Sequence, residues 1–214
     1  MRVPQPEGTR GSLKWLQRAV ARRPDLLQPQ GLPVIRWLSP LAEDDFAEYR
    51  DASFLKLLGL AHLTPALAVF WPARGPQWDA LGLCAAGPVL VEAKAHLGEF
   101  NSPASQAGAV SMARIRAAFA AMQADLGLAP GADWTRSTYQ YANRLAHLWW
   151  LRLQGVDAHL LFVSFIGDEE RQGPRSADAW HLAFRDADRQ LGIPQDHPIL
   201  RNVHHVLPDV VALI

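Results

Sequence analysis

Residues 71–99 read WPARGPQWDALGLCAAGPVLVEAKAHLGE, and the residue types divide the segment into two strands and a turn. The first strand spans 77–84 and carries Asp79; the second spans 89–95 and carries Glu92 and Lys94. Ala85-Ala86-Gly87-Pro88 between them is turn chemistry, because glycine permits a positive φ and proline fixes its own. Side chains alternate along a strand, so Glu92, Lys94 and, if the strand runs that far, His96 share one face, while Val89, Val91 and Ala93 share the other. From Pro88 to Ala93 only Glu92 is not apolar, the composition of a strand buried on both faces. A lone carboxylate or ammonium costs on the order of several kcal/mol to bury there. With Asp79 at the same height on the adjacent strand, the three groups meet. Two carboxylates then hold a hard divalent cation, and an ammonium stands beside them.

Composition bounds the rest. The chain has 214 residues, 49% of them hydrophobic, enough for one domain with a sizeable core. The expected organisation is an N-terminal extension and helix over residues 1–30 and a single domain over 31–214. No run of eighteen apolar residues occurs, so no transmembrane helix is expected, and residues 1–12 lack the apolar centre of a signal peptide. Cys84 is the single cysteine, read as a small buried hydrophobe, and an intramolecular disulfide is impossible. These features point to a cytoplasmic protein. A formal net charge of zero argues against a general nucleic-acid coat protein, without excluding a nuclease whose acidic metal site offsets a local arginine surface. Arginine outnumbers lysine 18 to 3, and the three are Lys14, Lys56 and Lys94. A compact ammonium with an adjustable pKa is one of the few things that arginine cannot replace.

Asp79, followed across a hairpin by Glu92-Ala93-Lys94, resembles the PD-(D/E)XK nuclease superfamily, the restriction-endonuclease-like fold. Trp78 stands where the family name has proline, a position that varies among members. The resemblance covers roughly thirty residues by count of the matched segment. It implies an α/β fold with a mixed sheet flanked by helices, and a Mg²⁺- or Mn²⁺-dependent phosphodiesterase acting on nucleic acid, DNA before RNA. Asp79, Glu92 and the Ala93 carbonyl would hold the metal, and Lys94 would orient the attacking water. Members of the family often add an acid from the helix before the sheet; Glu48 fits that role, with Asp51 second. Exonuclease-like branches present a glutamine from a later helix, and Gln140 is similar.

The remaining elements follow from periodicity and caps. Residues 13–22 read as a helix capped by Ser12, residues 34–38 as a short strand, and residues 43–58 as a second helix whose acidic start suits the macrodipole. Thr64-Pro65 opens a short helix. Arg74-Gly75-Pro76 is a tight turn, and Arg74 is either a phosphate contact near the metal or a surface loop arginine. His96, at the end of the strand, is either a structural histidine or one that orients the water or contacts substrate. Residues 101–103 read as loop, 104–126 as an alanine-rich helix, 127–133 as a break and 135–153 as a helix. The polar face of that last helix, Gln140, Asn143, Arg144 and His147, is either a solvent stripe or, at Arg144, a phosphate contact. Residues 158–166 form a central strand, 168–175 an exposed loop and 176–191 a helix. His204 and His205 lie on a final strand and face opposite ways.

Two further readings stand beside the nuclease. One is a non-catalytic module that holds nucleic acid or protein on a nuclease-like fold. The other is an interaction protein in which Glu92 and Lys94 simply pair, with aromatic clusters such as Trp149-Trp150 supplying a homodimer interface.

Overall fold

The hairpin around Gly87 forms and sets the sheet. The structure is a computed structural model describing residues 1–99, 105–129, 132–136 and 138–214. In chain order the regular elements are β1 (Arg2–Val3), α1 (Gly11–Arg22), β2 (Arg36–Ser39), β3 (Glu48–Tyr49), α2 (Ala52–Leu57), α3 (Thr64–Phe70), β4 (Ala80–Cys84) and β5 (Gly87–Lys94). Then come α4 (Ala109–Asp125), α5 (Tyr139–Leu153), β6 (His159–Ser164), α6 (Ala177–Leu191) and β7 (Val203–Val206), with 3₁₀ turns among them. The expected loop at 101–103, the first residue of the expected helix at 104 and residues 130–131 of the expected break lie outside the described residues.

The five-stranded sheet has the order β2-β4-β5-β6-β7. β4 is antiparallel to β2 and to β5, whereas β6 runs parallel to β5 and to β7. The fold is therefore α/β with a mixed sheet. Cys84 pairs with Gly87, so the turn narrows to Ala85-Ala86. Gly87 has φ 138°, and a Cβ there would lie 2.0 Å from the Asp157 carbonyl oxygen, so only glycine fits.

Alternation along β5 and β6 sorts the core into two layers. Val89, Val91, Ala93, Leu161 and Val163 pack with Trp15, Leu16, Ala19 and Val20 of α1. Leu90, Leu160 and Phe162 pack on the other face, beneath Leu145, Ala146 and Trp149 of α5 and Trp180 and Phe184 of α6. Trp149 and Trp150 are thus interior residues and not the subunit surface expected of them.

The expected helix over 43–58 is replaced by a 3₁₀ turn, β3 and the six-residue α2. Asp45, Phe46 and Asp51 have φ of 49°, 47° and 53°, which no right-handed helix accommodates. Tertiary partners override the helical spacing here. Arg2 draws Asp44 and Asp45 to itself, at 2.8 and 2.7 Å. Tyr49 pairs with Arg2 on one side and bridges to Trp78 on the other. The acids at 44 and 45 answer an arginine, not a helix dipole. Residues 2–3 are consequently tied to the body, and α1 covers one sheet face. Asp168 departs from the exposed loop expected around it: it is buried and accepts a 2.8 Å hydrogen bond from the indole of Trp15.

Candidate functional site

β5 brings Glu92 and Lys94 to the face beneath α5, as alternation required. Both are almost sealed, at 2% and 8% exposed. The Lys94 ammonium donates to Oε1 of Glu92 and, at 2.8 Å, to Oε1 of Gln140 in the first turn of α5. One turn further along α5, Arg144 reaches Oε2 of Glu92 at 2.6 Å. Arg144 also donates to the Gln77 carbonyl at 2.8 Å and lies 4.8 Å above the Trp78 ring. The polar stripe of α5 is therefore inward, and Asn143, Arg144 and His147 are all buried. The solvent reading of that stripe is overturned, because these side chains answer charges and carbonyls placed by β5 and by the segment before β4.

Asp79 sits where β4 parts from the ladder. Trp78 donates its N–H to Tyr49 instead, at 2.9 Å. The N–H of Ala93 is left facing the gap, and Oδ2 of Asp79 accepts it at 2.7 Å. Asp79 is thus placed by a backbone irregularity, not by the regular alternation of its strand. The N–H and C=O of one strand residue leave on the same side, so the Ala93 carbonyl oxygen is also turned toward the Asp79 side.

Glu48 arrives from β3, not from a helix. It is buried and accepts from Gln77 at 2.5 Å and Gln5 at 3.2 Å. Glu48, Asp79 and Ala93 together line a small cavity of about 40 Å³, roofed by Ser12, Leu13 and Leu16 of α1. Gln5 and Gln77 were not legible as site residues. Gln77 adjoins Asp79 in sequence, but nothing local signals the position of Gln5.

The charges interact. Burial, then the Glu92 and Glu48 charges, pushes the Asp79 carboxyl well above its ordinary range. Burial likewise raises Glu48, against the opposing hydrogen bond from Gln77. Burial would raise Glu92 too, but Arg144 and Lys94 more than offset it and hold the carboxylate ionised. Of the three carboxyls only Glu92 is held ionised by neighbouring positive charge, while Asp79 and Glu48 are both pushed toward the protonated form.

Three expected participants stand apart. β5 ends at Lys94, and Glu99 caps the free N–H of Ala95 at 2.9 Å. His96 consequently leaves the strand alternation and turns to Glu99 at 3.1 Å and Arg171 at 3.2 Å. Arg74 is an exposed turn residue with φ 64°. Asp51 accepts the Gly75 N–H at 3.0 Å and does not join the cluster. Among the described residues no three His, Cys, Asp or Glu side chains gather as a ready-made metal-binding set. Comparison with protein-family models, with curated proteins and with solved structures finds no match.

Proposed function

We propose that the protein is a metal-dependent phosphodiesterase of the PD-(D/E)XK type, acting on nucleic acid. The observation that carries this reading is Asp79. Its carboxyl is held beside a cavity lined also by Glu48 and Ala93, and burial, then the Glu92 and Glu48 charges, raises its pKa. The donors at hand are all hard oxygens, which suits Mg²⁺ or Mn²⁺. Asp79, Glu92 and the Ala93 carbonyl would hold the ion, with Glu48 behind them. A divalent cation held by these residues would supply a more acidic water and a polarised phosphoryl oxygen. Lys94, steadied by Gln140, would orient the water and offset charge growing on the phosphate. Arg144 spends its guanidinium on Glu92 and on the Gln77 carbonyl. It acts as a positioning residue.

The test joins calorimetry to cleavage. Mg²⁺ and Mn²⁺ are titrated into the protein and into Asp79→Asn, and duplex DNA, single-stranded DNA and RNA are offered to the protein and to Asp79→Ala. The expected outcome is cation binding that Asp79→Asn loses, and cleavage that Asp79→Ala abolishes while its circular dichroism is unchanged. Undiminished cleavage by Asp79→Ala overturns the mechanism.

A second reading is favoured by one specific feature: both oxygens of Glu92 are already satisfied by Lys94 and Arg144. In that reading the cluster is a self-contained buried ion network, and the protein is a non-catalytic nucleic-acid-binding or protein-interaction module. Indifference to both cations favours it.

A further inference from the structure

A cavity of about 300 Å³ opens between α2, α3 and α5, away from the charged cluster. Its inner wall is Phe54, Leu67, Trp71, Pro76 and His147, and the exposed residues Ala52 and Ala68 stand at its mouth. The volume falls at the small end of ligand sites, which run from about 300 to 1,000 Å³. His147 is 1% exposed. Its Nδ1 lies 2.8 Å from the carbonyl oxygen of Asn143. A carbonyl only accepts, so Nδ1 carries the proton and Nε2 presents a lone pair. Nε2 has no hydrogen-bond partner among the described residues. His147 Nε2 is not among the side-chain atoms that are both fully sealed and unpartnered, so this acceptor on the cavity wall is open to a donor from a bound molecule. The ring stands edge-on to Trp71, with centroids 4.8 Å apart, and to Phe70, at 5.4 Å. Charge on the wall is balanced: Asp51 takes the Gly75 N–H, and Arg114 donates to the Ala68 carbonyl.

We infer that this cavity binds a small, uncharged, planar heteroaromatic molecule of one or two fused rings, which donates an N–H or O–H to Nε2 of His147. Aromatic walls fix the plane, and the imidazole selects the donor. Trp78 stands between His147 and the Arg144 guanidinium of the acidic cluster.

Indole and benzofuran serve as probes, since they share a shape and differ in the donor. Calorimetry should show indole binding and benzofuran about tenfold weaker, the cost of leaving a buried acceptor unmet. Ala68→Trp, at the exposed mouth, should abolish indole binding, and Asp79→Ala should leave it unchanged. His147→Phe should erase the preference for indole; if that variant fails to fold, the probe pair and Ala68→Trp still decide. No indole binding up to about 1 mM, where binding energy is only about 4 kcal/mol, overturns the inference. So does equal affinity for the two probes, or undiminished binding by Ala68→Trp.

Discussion

Glu92 is paid for twice, once by Lys94 and once by Arg144, and this changes what substitution does. Sequence shows the Glu92–Lys94 pair but not the third member, because Arg144 sits fifty-two residues away on a helix face that looks like a solvent stripe. Removing Glu92 and Lys94 together therefore does not leave a neutral core: it strands a buried guanidinium. The double variant Glu92→Leu/Lys94→Met should lose about 3–5 kcal/mol, the range for a buried charge deprived of its partner. Adding Arg144→Met should recover a large part of that, as measured by urea unfolding. A triple variant less stable than the double contradicts this account. Asp79 gives the opposite sign. Its folded-state pKa is raised, so the folded protein holds a proton that the unfolded chain, with a value near 3.8, has released. Stability contributed by the protonated acid is present below that value and is lost as pH climbs toward the raised one. Asp79→Asn keeps an acceptor for the Ala93 N–H and carries no charge. It should raise the melting temperature at pH 7 relative to pH 3.5, while removing any cation binding. An acid that costs stability where it stands is what a working site predicts.

At the scale of elements, β5, β6, α5 and α6 were legible because length, apolar runs and period agree. Residues 43–58 were not, because the same apolar spacing serves a 3₁₀ turn, a two-residue strand and a short helix once Arg2 and Trp78 compete for the backbone and the acids. The turn at Gly87 was legible in type but not in reason. The close approach of the Asp157 carbonyl, which a Cβ would meet at 2.0 Å, is a tertiary fact. Gly87→Ala should accordingly cost well over the roughly 1 kcal/mol of ordinary glycine effects, seen as a lowered urea midpoint; a neutral substitution would mean that the approach is absent in solution. α5 carries its own pH signature. Burial, against the Asn143 carbonyl contact, lowers the His147 pKa to about 3. Between that value and about 6.5 the unfolded chain takes up a proton that the folded one refuses, so stability falls on acidification through this window. His147→Phe should shrink the drop in melting temperature between pH 7 and pH 4.5.

For the whole molecule, the mixed sheet and its helical covering follow from the order of apolar segments, and a strand with charges on only one face could be read directly. The acidic cluster could be read in part. Asp79, Glu92 and Lys94 come from adjoining segments and Glu48 and Gln140 follow only from the resemblance, whereas Gln5 is delivered by the path of the chain. His96 was misplaced because alternation was extended past the last rung of its strand. No helix among the described residues is long and apolar enough to cross a membrane.

The joint between β1 and β3 is only two residues long, and Glu48 rides on it. The bonds from the Gln5 and Arg50 amides to the Asp45 and Met1 carbonyls, each 3.0 Å, and the Arg2 guanidinium on Asp44 and Asp45 hold it. Short seams of this kind open ahead of the body of a fold. Deuterium uptake at those two amides is therefore a gauge of whatever Glu48 is holding, legible in the absence of any substrate. Slower uptake with magnesium in the buffer would register an ion in the acidic pocket.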